Sequence, residues 1–170
     1  DVLSKRLDEE PIRAVRERGS WFDVTRPWDL LAVNAALLED EPQPERPGVH
    51  ETAAIAPAVS LGADVAVYPN ATVLSGTAIG KNVSVGPNAT ISNSLVMADA
   101  TIEAGAVVKD AVIAENVTVG PNATVVGGRA DVPLQDTVYR DVTLGGVLGD
   151  NATIGGAATV LPGSFVGNGA

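Results

Sequence analysis

Residues 67–91 read VYPNATVLSGTAIGKNVSVGPNATI. Every sixth residue of this stretch is aliphatic, from Val67 to Ile91. The same spacing begins at Val49 and continues to Val166, with two slips of one residue and one interruption. A short fixed period of this kind is the sequence signature of a solenoid, in which each repeat packs only on its neighbours.

A second register of small or slim side chains accompanies the first. Ala71 stands two positions before Val73, and Ala89 stands two positions before Ile91. Alternation with period two places both registers on one face of a strand, where large and small side chains fill a narrow interior. Corner sequences such as the Gly-Pro-Asn at 86–88 separate the strands, because they supply the fixed or positive φ angles that a turn needs.

Three short strands and three corners make one triangular coil of about eighteen residues, so about six coils are predicted to stack between residues 49 and 170. The predicted fold class is therefore all-β: a parallel β-helix preceded by a short α/β segment. The period is lost over residues 126–141, where we expect a loop. Residues 39–48 contain three prolines and four acidic residues, which predicts an extended linker.

The N-terminal segment 1–38 does not follow the six-residue period. Alternating apolar residues predict strands at 12–16 and 20–24, and Pro27 suits the first turn of a helix that should end near Leu38. A segment this short buries too little apolar surface to be stable by itself. We therefore expect it to pack on the β-helix or on a neighbour outside this sequence. The buried side of the helix is predicted to carry Leu30, Asn34, Leu37 and Leu38.

Composition limits the partners and the compartment. The net charge of −10 argues against nucleic acid or an anionic membrane surface as partner. Only three lysines accompany 21 acidic residues, a balance associated with a cytoplasm of high salt. There is no cysteine for a disulfide or a thiolate metal site. No signal peptide or apolar run of membrane-spanning length is evident, so we expect a cytoplasmic protein.

Six Asn-x-Ser/Thr sequences recur at one place in the repeat, directly before a strand begins. Their asparagines are Asn70, Asn82, Asn88, Asn116, Asn122 and Asn151. Glycosylation needs a secreted protein, whereas the period explains the same residues as corners, where asparagine tolerates a positive φ. On the outer surface, we expect one face to stack Thr72, Thr90, Thr124 and Thr153.

Residues 21–31 read WFDVTRPWDLL. Together with Asn34, this stretch resembles the closing strand and following helix of the catalytic domain of sugar-1-phosphate nucleotidylyltransferases, such as glucose-1-phosphate thymidylyltransferases and N-acetylglucosamine-1-phosphate uridylyltransferases. Residues 49–170 resemble the left-handed, hexapeptide-repeat β-helix that two-domain members carry after a linker. The resemblance implies an enzyme that joins a nucleoside triphosphate to a sugar 1-phosphate and releases pyrophosphate. It also implies a homotrimer packed along the faces of the prism.

Asp23 matches the carboxylate that, in this family, helps to hold a Mg²⁺ ion between the nucleotide and the sugar phosphate. Mg²⁺ binds through one or two carboxylates plus phosphate oxygens, and an aspartate between Phe22 and Val24 is costly to bury unless it is paired. Alternatively, Asp23 caps the chain locally or pairs with Arg26. Thr25 stands where the family usually has glycine. The family's glycine-rich nucleotide loop does not occur in these 170 residues, so we expect this chain alone to be inactive.

Acyl transfer is a second possible activity, because many hexapeptide β-helices are acetyl-CoA-dependent acyltransferases with a histidine as general base. Aligned by the repeat, that histidine position is occupied by Ala104, and the catalytic asparagine position falls near Gly127. The only histidine, His50, is predicted to face outward from the first coil. The sequence therefore indicates no catalytic residue for acyl transfer and argues against acetyl-CoA as a cofactor.

The interrupting loop is the remaining candidate site. It carries Arg129, Tyr139 and Arg140, which would suit either a ligand or a subunit contact. A third interpretation is that the β-helix is an oligomerisation module without chemistry of its own. Outward-facing Leu74 and Val126 are consistent with such an interface.

Overall fold

The computed structural model describes residues 15–16, 19, 21–39 and 48–170. It is a parallel β-solenoid of about six turns with one short helix, which confirms the predicted fold class. The predicted strand at 12–16 lies largely outside the described residues, as does most of the predicted linker at 39–48. Within the described residues, no helix is long and apolar enough to cross a bilayer.

Short parallel strands form three sheets, which are the walls of a triangular prism. Sheet 1 contains β1 (Ala54–Ile55), β4 (Thr72–Val73), β7 (Thr90–Ser92), β10 (Val107–Lys109), β13 (Thr124–Val125) and β18 (Thr159–Val160). Sheet 2 contains β2 (Val59–Leu61), β5 (Thr77–Ile79), β8 (Leu95–Val96), β11 (Val112–Ile113), β16 (Gly146–Leu148) and β19 (Ser164–Val166). Sheet 3 contains β3 (Ala66–Val67), β6 (Ser84–Val85), β9 (Thr101–Ile102), β12 (Thr118–Val119) and β17 (Thr153–Ile154).

Both predicted registers point into the prism. The aliphatic side chains of Ile91 and Val108 are fully buried, and so are the slim side chains of Ala89 and Ala106 that precede them by two positions. Thr77 occupies one of the slim positions, and its buried hydroxyl has no hydrogen-bond partner among the described residues. Stacked coils therefore bury a continuous column of aliphatic side chains along the prism axis.

The predicted corner role of asparagine is confirmed. The six asparagines of the Asn-x-Ser/Thr sequences all have φ between 55° and 59°, in the left-handed region that asparagine tolerates. Their side chains also link successive coils: Asn82 Nδ2 donates to Asp99 Oδ1 at 2.7 Å, and Asn116 Nδ2 donates to Asn151 Oδ1 at 2.8 Å.

The two slips of the period come from shorter corners between sheet 1 and sheet 2. In the second coil this corner uses Ser75 and Gly76, whereas the next two coils use Asn93 and Asp110 alone. Both single residues have a positive φ, of 43° and 51°. Asn93 Nδ2 donates to Asp110 Oδ1 at 2.7 Å, so the two short corners stabilise one another.

The prediction of the outer threonine face is wrong at Thr153. Thr72, Thr90 and Thr124 lie in sheet 1, where the next coil adds Thr159. Thr153 instead pairs with Thr118 in sheet 3. The chain passes from sheet 1 to sheet 2 across the interruption, so the first strand after it belongs to sheet 2 and the second to sheet 3.

The helix begins and ends where the sequence predicts. It is α1, Pro27–Leu38, and the carboxylate of Asp29 accepts hydrogen bonds from the backbone N–H groups of Thr25 and Arg26 at 3.1 and 2.9 Å. This cap satisfies N–H groups that the helix itself leaves without partners. The family's usual glycine is therefore not needed for the chain to turn into α1.

The buried face of α1 differs in part from the prediction. Leu31 and Leu38 are buried, and Asn34 Nδ2 donates to the carbonyl oxygen of Gly76 at 2.8 Å. Leu37 was predicted to be buried, but it is 66% exposed. Residues 31, 34 and 38 follow the helical spacing of one face, and Leu37 lies about 100° away from Leu38 around the axis.

The predicted strand at 20–24 is also wrong for the described residues. Residues 21–25 have no strand assigned, and Trp21 is 83% exposed. Phe22 and Val24 are exposed as well. A strand exists only through its hydrogen bonds to a neighbour, and no other described segment pairs with these residues.

The outer face of sheet 2 carries a further apolar cluster of the described residues. Leu31 of α1 packs there with Val112 of β11, Val132 and Leu144, and all four are buried. The interruption that the sequence indicated at 126–141 is an antiparallel hairpin, β14 (Arg129–Leu134) and β15 (Thr137–Thr143). The N-terminal helix therefore packs on the β-helix, with the hairpin beside it.

Candidate functional site

Asp23 lies on the exposed segment that precedes α1. Among the described residues it makes no ion pair, since both ion pairs there belong to the hairpin. Its carboxylate is therefore accessible for a ligand. No cluster of three or more histidine, aspartate or glutamate residues occurs in the described part of the chain, so Asp23 contributes a single carboxylate.

A single accessible carboxylate is compatible with Mg²⁺ binding. Mg²⁺ retains several waters and takes one or two protein carboxylates together with substrate phosphates. Asp23 fits one such position, and the remaining ligands would have to come from elsewhere.

Asp23 takes neither of its two alternative roles, the ion pair with Arg26 and the local cap. Arg26 does not pair with Asp23; its guanidinium carbon lies 4.5 Å from the centroid of the Tyr139 ring and 5.9 Å from that of Trp28. The helix is capped by Asp29 rather than by Thr25. Within the described part of the chain, neither an ion pair nor a helix cap explains why an aspartate stands at position 23.

The position predicted for an acyltransferase histidine lies in an open groove on sheet 3. Ala104 lines this groove, whose walls also include Tyr68, Pro87, Glu103 and Pro121. His50 lies three coil spacings from Ala104, or about 14 Å along the prism. It is exposed, and its Nδ1 lies 3.0 Å from the hydroxyl of Thr52. The structure does not bring a histidine to the groove.

Both arginines of the hairpin form ion pairs within it. Arg129 pairs with Asp141, and Arg140 pairs with Asp131 at 3.3 Å. Neither arginine is therefore an unpaired cation for a phosphate ligand. The sequence of this segment suits a ligand site or a subunit contact, and in the structure the hairpin contacts α1 of its own chain.

Tyr139 makes that contact, a role that the sequence analysis missed. Its ring centroid lies 5.2 Å from that of Trp28, with the planes tilted by 59°. Alternating apolar residues on both sides of Gln135 and Asp136 would have predicted a hairpin. No local signal could have paired residue 139 with residue 28.

Solved structures with this fold include two of the acetyltransferase domain of PglB from Neisseria gonorrhoeae FA1090. The one in complex with acetyl coenzyme A has a TM-score of 0.58 and 22% identity, and the match covers 71% of this chain and 51% of that chain. The second has a TM-score of 0.55 and 22% identity, with coverages of 70% and 53%. This likeness shows the fold alone. The chain spans about half the length of these structures.

The comparison with curated proteins gave no match. The family model described as the GMPPB C-terminal domain matches residues 55–166, which include most of the prism and the hairpin. The hexapeptide-repeat, left-handed β-helix expected from the sequence is therefore supported. The chain belongs to the GMPPB C-terminal domain family, the hexapeptide-repeat β-helix of sugar-1-phosphate nucleotidylyltransferases.

Proposed function

We propose that this chain is the C-terminal part of an enzyme that condenses a nucleoside triphosphate with a sugar 1-phosphate and releases pyrophosphate. The observation that carries the proposal is the packing of α1 on sheet 2. Leu31 and Asn34 of the nucleotidylyltransferase-like stretch contact the β-helix of the family directly. The two sequence signatures therefore belong to one structural unit.

The segment before α1 supports the same proposal. Trp21, Phe22 and Val24 are apolar and exposed, as expected for a segment whose apolar side chains pack on a catalytic domain. Asp23 among them would hold Mg²⁺. When bound, the ion would neutralise charge on the phosphates as pyrophosphate leaves.

Loss of the Asp23 carboxylate should abolish most of the activity. In the full-length protein, Asp23→Ala is expected to lower kcat/KM for pyrophosphate release by about 100-fold or more, because a ligand of the metal is removed. The measurement is a coupled pyrophosphate assay over a panel of nucleoside triphosphates and sugar 1-phosphates. Asp136→Ala is the matched control, since Asp136 is an exposed carboxylate at the hairpin turn. Equal activity of the two variants would refute the role of Asp23.

The outer face of sheet 1 is proposed as the assembly surface of a homotrimer. Its twelve outward-facing positions, eight within the strands and four directly after a strand, contain no acidic residue, although the chain carries 21. They are Ala54, Ala56, Thr72, Leu74, Thr90, Ser92, Val107, Lys109, Thr124, Val126, Thr159 and Leu161. Three of the apolar ones, Leu74, Val107 and Leu161, are exposed. The middle of sheet 2 packs against α1 and the hairpin, so that part of sheet 2 is not available for assembly.

A negative charge on that face should prevent assembly. The double variant Leu74→Glu/Val107→Glu is expected to sediment as a monomer under conditions where the unchanged protein sediments as a trimer, because burying two unpaired carboxylates is costly. Val138→Glu is the control, as Val138 is 55% exposed on the hairpin. Analytical ultracentrifugation measures the assembly state. The proposal is contradicted if the unchanged protein is a monomer or if the double variant is a trimer.

We place the enzyme in the cytoplasm, where nucleoside triphosphates are made, and the acidic surface suits a cytoplasm of high salt. Acyl transfer on the β-helix is the weaker alternative. Ala104 supplies no base in the sheet 3 groove, and His50 lies three coils from Ala104. An acyl acceptor bound there would have no histidine to take its proton.

A further inference from the structure

Arg26 lies at the meeting point of three elements. It is the N-cap residue of α1, three residues after Asp23, and it is partly buried. Its guanidinium lies over the ring of Tyr139 at 4.5 Å from the centroid. The ring of Trp28 lies beside them, with its centroid 5.2 Å from the centroid of the Tyr139 ring. This is the geometry of a cation–π interaction.

Tyr139 is held by the prism. It lies in β15, where it pairs with Val132 of β14, and Val132 is buried beneath α1. The hairpin leaves the prism after β13 and returns to it at β16. At its root, the N–H of Gly145 donates to the carbonyl oxygen of Asp110 at 2.7 Å. A displacement of Tyr139 would therefore have to displace an element anchored at both ends.

The segment that carries Asp23 has few other attachments. Its exposed apolar residues make no cluster with the prism. Within the described residues, what holds the turn between Asp23 and α1 is the Asp29 cap and the packing of Arg26 on the two aromatic rings. The cap orients the backbone of Arg26, and the ring of Tyr139 packs on the Arg26 side chain and so connects it to the prism.

We propose that Tyr139 is a positioning residue for Asp23. Its ring holds Arg26, and Arg26 fixes the direction in which the chain leaves α1 toward Asp23. Catalysis depends on placing a metal ligand to within a fraction of an ångström, so the β-helix would contribute to nucleotidyl transfer through this contact as well as through assembly. The inference rests on the proposed function.

Removal of the ring should weaken Mg²⁺ use specifically. In the full-length protein, Tyr139→Ala is expected to raise the Mg²⁺ concentration for half-maximal activity about tenfold, whereas Tyr139→Phe retains the unchanged value because the ring is kept. Val138→Ala is the neighbouring control, since that exposed side chain makes no ring contact in the described residues. The double variant Arg26→Ala/Tyr139→Ala should need no more Mg²⁺ for half-maximal activity than the poorer of the two single variants. The reason is that both substitutions remove the same contact, so their effects do not add.

Amide hydrogen exchange gives a readout that does not need activity. The N–H groups of Thr25 and Arg26 should exchange faster in Tyr139→Ala than in Tyr139→Phe, while the strands of the prism keep their protection. If the unchanged protein makes no nucleotide sugar, the proposed function fails and the exchange experiment still decides whether the contact orders this turn. An active enzyme whose Mg²⁺ dependence is the same in Tyr139→Ala would overturn the positioning role alone.

Discussion

Replacing Ile102 by alanine is expected to lower the free energy of unfolding by about 2–5 kcal/mol. Ile102 is fully buried in β9, with Val85 of the coil before it and Val119 of the coil after it as its partners in sheet 3. Strand pairing on both sides fixes the spacing of the three coils, so the coils cannot close around the cavity. The cost should therefore lie in the upper half of that range.

The adjacent residue provides the matched control. Thr101 belongs to the same strand but faces outward, and Thr101→Ala should change the free energy of unfolding by no more than about 0.5 kcal/mol. Urea unfolding followed by circular dichroism at one protein concentration measures both variants, because assembly makes stability depend on concentration. Similar midpoints for the two variants would show that the interior of the prism is not the main source of stability.

Replacing Gly145 by alanine is the second large effect that we expect, a loss of about 2–3 kcal/mol. An added Cβ would overlap the carbonyl oxygen of Lys109, and the carbonyl oxygens of Val126 and Asp110 lie only 3.1 and 3.3 Å from its position. All three atoms are backbone, so relief requires a shift of the coil or of the hairpin root. The N–H of Gly145 would lose its hydrogen bond to Asp110 in such a shift.

Gly155 is the control for this substitution. Nothing lies within 4 Å of the position that its Cβ would take, and its φ is not positive. Gly155→Ala should therefore leave the unfolding midpoint unchanged or raise it slightly. We also expect faster amide exchange in β14 and β15 of Gly145→Ala, and an equal effect of the two substitutions on the midpoint would exclude close packing at the hairpin root.

The sequence alone was sufficient for the prism, because each coil is built from local and repeated information. Aliphatic residues at a six-residue spacing set the inward face of every strand, as at Ile91 and Val108. Corner asparagines such as Asn88 adopt the positive φ that the strands need in order to turn. Pro27 placed the start of α1 correctly. None of these features depends on a distant part of the chain.

Only the tertiary structure showed how the non-repeating helix and hairpin pack on the prism, because the periodic pattern carries no information about them. Which leucine of α1 is buried, Leu31 rather than Leu37, depends on the outer face of sheet 2. The contact of Arg26 and Trp28 with Tyr139 joins residues more than a hundred positions apart. Such contacts arise once in the chain and leave no period to read, because they are set by where a non-repeating helix and hairpin meet on the finished prism.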